Sequence, residues 1–278
     1  MKLPYRARRF LRRNAALLPK PQYFLVSYPK SGRTWLRMMI GSAAIDHLRL
    51  PPQDPTDFDK LARVSPNFPT TQVTHDTDST NISLSRIRFR PALYRSSRVI
   101  FLARDPRDVL ASSFYDQKYR RVYEYDMPEF ETADAMVDAP TGGLRGLLRF
   151  YNVWAENLPT VRGYLLVSYE DLKADPAREL RRCLEFLGLT NVTEVSIRTA
   201  VERGAIDKMR EAERKGEFHA RWGPPDPNNI NTYKVRRGVV GGYVDDFSSQ
   251  AIARMDAIID SELSDIFARY KYRTEERR

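Results

Sequence analysis

The feature that most limits what this chain can become is the run Tyr23-Phe24-Leu25-Val26-Ser27-Tyr28-Pro29-Lys30-Ser31-Gly32-Arg33-Thr34-Trp35-Leu36. Apolar and β-favouring residues fill 23–28, and Pro29 and Gly32 break the run. From Trp35 onward, Leu36, Met39, Ile40, Ala43 and Ala44 recur at helical spacing. The stretch predicts a buried strand over 22–28, a short turn, and a helix over 34–48. A turn that opens into a helix start leaves several backbone N–H groups pointing outward, and with the helix dipole they make an anion site. Lys30 adds a mobile cation, and Ser31 and Thr34 add hydroxyl donors. The plain alternative is an ordinary strand-to-helix turn with a surface lysine.

The loop nearly fits the nucleotide-binding pattern G-x-x-x-x-G-K-[ST]. Ser27 stands where the first Gly belongs, Arg33 where the Lys belongs, and the lysine has moved to the front of the turn. A cradle for a nucleotide phosphate results, without the usual arrangement for a magnesium-bound triphosphate.

Three more segments carry chemistry. Arg98 to Arg104 reads as a buried strand, and Asp105-Pro106 as the cap and first turn of a helix running to about 120. Ligands of open α/β sheets bind beyond the carboxyl ends of the strands, so Arg104 is placed to grip a second phosphate, with Ser112 two turns into the helix. A salt bridge from Arg104 to Asp108 is the competing reading. Thr74-His75 ends a short segment over 72–76, and a near-neutral pKa makes His the natural base for an alcohol; a structural, hydrogen-bonded histidine is the other reading. Arg236-Arg237-Gly238 can present two cations and a bare backbone N–H to one phosphate, or be a solvated basic loop. Val167-Ser168-Tyr169-Glu170-Asp171-Leu172 closes a third strand over 164–169, with Tyr169 a buried strand-end aromatic.

Elsewhere, 49–70 reads as a long Pro-rich loop and 121–142 as irregular. Helices are expected over 144–157, from Asp175-Pro176 to Leu187, over 192–203, 206–214 and 248–270, with a polar stretch at 216–247. Alternating strands and helices imply one α/β domain with a parallel sheet and helices on both faces. Its expected bounds are 21–270, between a basic tail at 1–20 and a charged tail at 271–278.

The 278 residues are 42% apolar and 11% aromatic, enough for a large core. The single cysteine, Cys183, excludes a disulfide framework and a cysteine metal site; it reads as a small core residue, and a reducing cytoplasm fits best. No run of about 18 apolar residues suggests a membrane span. The first twenty residues hold seven Lys/Arg and no acid, a solvated tail or a peripheral contact with an anionic membrane. A net charge of +10 attracts anions generally, but the basic residues are spread along the chain and no nucleic-acid module is recognisable.

Together these motifs resemble those of the sulfotransferases that use 3′-phosphoadenosine 5′-phosphosulfate (PAPS). Tyr28-Pro29-Lys30-Ser31-Gly32-Arg33-Thr34-Trp35 looks like their 5′-phosphosulfate loop, with Arg33 in place of the usual Thr. The Arg104 segment resembles Arg-Asn-Pro-Lys-Asp-x-x-x-Ser, the Tyr169 segment resembles Tyr-Glu-Asp-Leu, and Arg236-Arg237-Gly238-Val239-Val240-Gly241-Gly242-Tyr243 resembles Arg-Lys-Gly-x-x-Gly-Asp-Trp. The matches fall in the family's order over about 22–247. The resemblance implies the family's P-loop-kinase-like fold, PAPS as cosubstrate with 3′-phosphoadenosine 5′-phosphate (PAP) as product, and no metal. It implies that Lys30, Ser31, Gly32, Arg33, Thr34 and Trp35 hold the 5′ side of the donor. Arg104 and Ser112 would hold the 3′-phosphate, Arg236, Arg237 and Gly238 would belong to the donor site, and Tyr169 would contact the nucleotide. His75 would be the base and Lys30 the leaving-group stabiliser. Val73 replaces a family Lys. Gly204-Ala205-Ile206 replaces the adenine-packing Thr-Ser-Phe, leaving Trp35 as the stacking surface and Ile206 as an apolar substitute.

The rival enzyme reading is a magnesium-dependent ATP or GTP kinase, and the non-enzymatic one is a basic module for membranes or polyanions. The acceptor stays open among small molecules, glycans and lipids, with a hydroxyl or an amine as nucleophile. Tyr115, Tyr119, Tyr123 and Tyr125 suit a sugar or phenol, and Arg120 and Arg121 suit an anion. The family's dimerisation motif is absent, so oligomeric state is open too.

Overall fold

The computed structural model describes residues 21–77, 80, 82–120, 129–217 and 225–271. The tail at 1–20, Arg121, Tyr123, Tyr125, His219 and residues 272–278 lie outside this set. Four strands, β1 (Tyr23–Ser27), β2 (Thr71–Thr74), β3 (Arg98–Ala103) and β4 (Gly163–Ser168), form one parallel sheet in the order β2-β1-β3-β4. The registers pair Val26 with Thr74, Ser27 with Leu102, and Ala103 with Ser168, so all four strands end at one rim.

The two central strands, β1 and β3, are apolar on both faces because both faces are covered. Phe24, Val26, Val99, Phe101 and Ala103 pack into one core cluster, and Leu25, Ile100, Leu102 and Val167 into the other. The helices α1 (Arg33–His47), α2 (Phe58–Val64), α3 (Pro91–Tyr94), α4 (Pro106–Tyr119), α5 (Leu144–Asn157), α6 (Tyr169–Ala174), α7 (Pro176–Phe186), α8 (Glu194–Arg203), α9 (Ile206–Arg214) and α10 (Ser249–Glu262) follow in chain order. α1, α2, α7 and α8 supply the second cluster, and α4, α5 and α10 the first. Cys183 on α7 is fully buried, and that burial pushes its thiol up to about 12. No helix among the described residues is long and apolar enough to cross a membrane.

Three expectations need correction. The 49–70 segment is not all loop: α2 forms there because the Asp57 side chain caps the N–H of Lys60 while Phe58 and Leu61 bury one face. Seven residues are too few for helical periodicity to show. The last helix stops at Glu262 rather than 270. Asn152 on α5 donates to the Glu262 carbonyl (2.6 Å) and accepts from the Ser264 N–H (2.8 Å), diverting the groups that would extend it. A 3₁₀ segment, Asp265–Tyr270, follows. Tyr169 opens α6 instead of ending β4, because the Ser168 hydroxyl accepts the Asp171 N–H (3.0 Å) as an N-cap.

Candidate active site

Each of the four strands delivers one candidate residue just past its carboxyl end: Lys30 after β1, His75 after β2, Arg104 after β3 and Tyr169 after β4. A cavity of about 560 Å³ opens at that rim, and all four line it. This is where open parallel sheets place ligands.

The loop after β1 is bent by two left-handed residues, Lys30 (φ 69°) and Gly32 (φ 93°). Alternating backbone of this kind turns successive N–H groups toward one concave side. The ladder of α1 begins with Leu36 N–H donating to Gly32 O (3.2 Å), which directs the preceding N–H groups out of the helix end. Gly32, Arg33, Thr34 and Trp35 line the cavity at that point. Ser31 is the exception among the sequence candidates. It is fully buried and outside the lining, its N–H spent on Tyr28 O (3.4 Å). Its hydroxyl is enclosed, whereas Thr34 stands at the cavity wall.

Gly32 is required on two counts. A left-handed φ strains an L-residue, and a Cβ there would lie 2.6 Å from the Tyr169 ring. That ring cannot retreat easily, because it is 5% exposed, stacks edge-on against Trp35 (5.6 Å) and lies under the Arg104 guanidinium (4.2 Å). Gly32→Ala should cost about 2–4 kcal/mol of stability in a denaturant titration. An unchanged midpoint and slope would show that the ring does move.

Arg104 is fixed from several sides. Its N–H donates to the Tyr151 hydroxyl (2.9 Å), and its guanidinium donates to Lys30 O (3.2 Å) and Val239 O (3.0 Å) and pairs with Asp108 (3.4 Å). The salt bridge and the cavity-lining position expected as alternatives coexist. On α4, Asp108, Ser112 and Asp116 recur every fourth residue and so share the face that lines the cavity.

Asp108 also accepts the N–H groups of Gly241 (2.9 Å) and Tyr243 (3.1 Å), clamping the Arg236–Tyr243 loop to α4. Arg236 pairs with Asp246 (3.1 Å), whose other oxygen accepts from Tyr115 (2.9 Å), and Arg237 donates to Gly242 O (2.7 Å). Gly238 lets the backbone come close to Ile206: a Cβ there would sit 2.8 Å from the Ile206 methyl. Trp35, Tyr169, Ile206 and Gly238 thus border one apolar end of the cavity, with the Lys173 ammonium 5.7 Å from the Trp35 ring.

At the other end stands His75. Its Nδ1 lies 2.7 Å from the carbonyl oxygen of Ser27, the last residue of β1. A carbonyl only accepts, so Nδ1 carries the proton and Nε2 is the basic nitrogen. The Lys30 ammonium is bonded to Asp116 Oδ1 (2.8 Å), which also accepts from Arg120 (3.0 Å).

Residues missed in the sequence are Asp108, Asp116, Arg120 as an Asp116 partner, Lys173 and Lys234, all lining the cavity. Asp108 and Asp116 carried a usable signal, four residues either side of Ser112 on a predicted helix. Lys234 carried none. Protein packed around it and the cations Lys30, Arg120, Arg33 and Arg37 push its ammonium down to about 7, even though it keeps open surface in the cavity. His47, given no role, ends α1, and His219 lies outside the described residues.

Comparison with known proteins agrees with this geometry. Cytosolic sulfotransferase 1 of Arabidopsis thaliana is 24% identical over 265 residues, covering 86% of this chain and 77% of the relative. Flavonol 3-sulfotransferase of Flaveria bidentis is 25% identical over 266 residues, with 86% and 81% covered. Among crystal structures, mouse sulfotransferase SULT7A1 complexed with PAP superposes with a TM-score of 0.59 at 20% identity, over 91% of this chain and 87% of that one. Retinol dehydratase with retinol and PAP gives 0.61 at 20% identity, over 93% and 86%. The fold they share is the P-loop-kinase-like sulfotransferase fold. Residues 20–267 match the sulfotransferase domain, nearly the whole described chain, and the protein belongs to the sulfotransferase family.

Proposed function

We propose that the protein transfers the sulfuryl group of PAPS to a hydroxyl or amine of an acceptor, giving PAP and a sulfated product. The observation that carries this is the convergence of Lys30, His75, Arg104 and Tyr169 from four strand ends on one cavity. The residues fit the donor: the Arg104 Nε–H is buried with no partner among the described residues, beside a loop clamped in place by Asp108. Arg104, Ser112, Arg236, Arg237 and the Gly238 backbone would hold the 3′-phosphate. The 32–35 backbone with Thr34 and Arg33 would hold the 5′ side, and Trp35, Tyr169 and Ile206 the base.

Bound there, PAPS supplies the sulfuryl group and departs as PAP. His75 Nε2 takes the proton of the acceptor as its oxygen or nitrogen bonds to sulfur. Lys30 Nζ supplies a cation to the negative charge that builds on the bridging oxygen as the old S–O bond breaks; fixed donors aimed at developing charge are usually the largest catalytic contribution. The PAP complexes of the structural neighbours support the donor assignment. Retinol and androsterone, bound by retinol dehydratase, support a small hydroxyl compound as acceptor. The Arabidopsis relative's name supports a cytosolic reaction.

Calorimetry of PAP against ATP, each with and without magnesium, tests the donor. Micromolar PAP binding that ignores magnesium is expected. Arg104→Ala should weaken PAP about 10- to 100-fold, the range for a hydrogen bond to a charged group, and adenosine 5′-phosphate far less. ATP binding that needs magnesium would move the reading to a kinase, and equal losses for the two nucleotides would remove Arg104 from the 3′-phosphate.

A further inference from the structure

Among the described residues, eight Lys and Arg side chains line the cavity against three carboxylates. The donor assignment above uses Lys30, Arg33, Arg104, Arg236 and Arg237, and Lys173 stands over Trp35 at the base end. Arg120 and Lys234 are left over. Both are placed by one buried carboxylate, Glu213 on α9, which is 2% exposed. Glu213 accepts the backbone N–H of Lys234 (2.8 Å) and of Val235 (3.4 Å) and lies 3.7 Å from the Arg120 guanidinium.

The position of this pair relates it to the reacting groups. Arg120 and Lys30 share Asp116 Oδ1, at 3.0 and 2.8 Å, so Arg120 adjoins the lysine that would face the bond being broken. Arg120 lies eight residues beyond Ser112, about 12 Å along the axis of α4 from the 3′-phosphate end. The Lys234 ammonium has no hydrogen bond or ion pair among the described residues. The charges that act on it are those of Arg33 and Arg37 from α1, Lys30 from the β1 loop and Arg120 just past α4; Glu213 accepts its backbone N–H. The cations that act on Lys234, with Arg120 beside it in the cavity lining, make this end of the cavity complementary to an anion.

We propose that Lys234 and Arg120 form an acceptor subsite for a carboxylate, phosphate or sulfate, so that the preferred acceptor is a hydroxyl or amino compound already carrying negative charge. This rests on the sulfotransfer reading and names its substrate class. Because Lys234 loses its proton through about pH 7, the preference for an anionic acceptor is strongest below that pH and fades above it. A charge change at any other group in the cavity would persist in Lys234→Met, so that variant assigns the pH dependence to Lys234.

The test uses the full chain saturated with PAP, with calorimetry on three matched pairs: 4-hydroxyphenylacetate and its amide, methyl glucuronoside and methyl glucoside, and 6-hydroxyhexanoate and its amide. In at least one pair the anion should bind about tenfold or more tightly at pH 6.5, the scale of one charge-assisted contact. That ratio should fall at least threefold between pH 6 and 8. It should collapse likewise in Lys234→Met and persist in Lys234→Arg. No preference in any pair, absence of all binding included, overturns the proposal. So does a preference that ignores pH over that range or survives Lys234→Met. If the parent protein fails to bind PAP, the sulfotransfer reading itself has failed.

Discussion

Replacing His75 by alanine lowers turnover by about 10²- to 10⁴-fold, the usual share of a general base, while PAP binding stays near that of the parent protein. The split follows from position. His75 follows the edge strand β2, its Nδ1–H tied to the Ser27 carbonyl, and the groups assigned to both phosphates stand at the start of α1, just past β3, on α4 and on the 236–243 loop. Removing the imidazole takes the basic Nε2 away and frees one strand-end carbonyl that water can reach. Steady-state rates and PAP calorimetry on one preparation check it. Full activity would remove His75 as the base, and a parallel loss of PAP affinity would make it a structural residue. His75→Gln, which can keep a donor near Ser27 O but has no basic nitrogen, should be as slow as alanine.

Lys30→Met is the second large effect: kcat should fall about 10²- to 10³-fold, the range for losing one donor to developing charge. PAP affinity should change only several-fold. Methionine keeps the length of the chain, and the left-handed φ of 69° is no harder for it than for lysine. Asp116 would not be stranded, because Arg120 still donates to it. The fold should therefore tolerate the change. Equal losses in kcat and in PAP binding would show that Lys30 holds the donor in its ground state and does no more in the transition state.

What the sequence made legible depended on range. The strand, turn and helix at 23–47 could be read because the hydrophobic period changes at Pro29 and Gly32, a purely local signal. Arg104 and Tyr169 could be placed because each directly follows an apolar run that must be a strand. His75 was harder; Thr71–Thr74 is four residues long, and only its place between two stronger motifs marked it. Lys30's bond to Asp116, the Asp108 clamp on the 241–243 backbone, and the meeting of Lys234 with Arg120 join residues tens to more than a hundred positions apart. No local pattern encodes such contacts. The end of α10 was misread for the same reason, since Asn152, which terminates it, lies on another helix. The burial of Ser31, between the left-handed residues Lys30 and Gly32, was likewise not legible from the motif.

The rim formed by four parallel strand ends also has a meaning in time. Parallel neighbours cannot be joined by a hairpin, so β1 must meet β3 some 75 residues away and β4 a further 65 residues on before the rim exists. Chains dominated by such distant pairings fold slowly, and the loop-closure entropy is spent before the contacts that reward it are made. The half-sheet of β1 and β2 would carry the phosphate loop and His75 without Arg104, and that of β3 and β4 would carry Arg104 and Tyr169 without the loop. Donor binding as proposed therefore waits beyond the last strand, for the 236–243 loop to be clamped to Asp108.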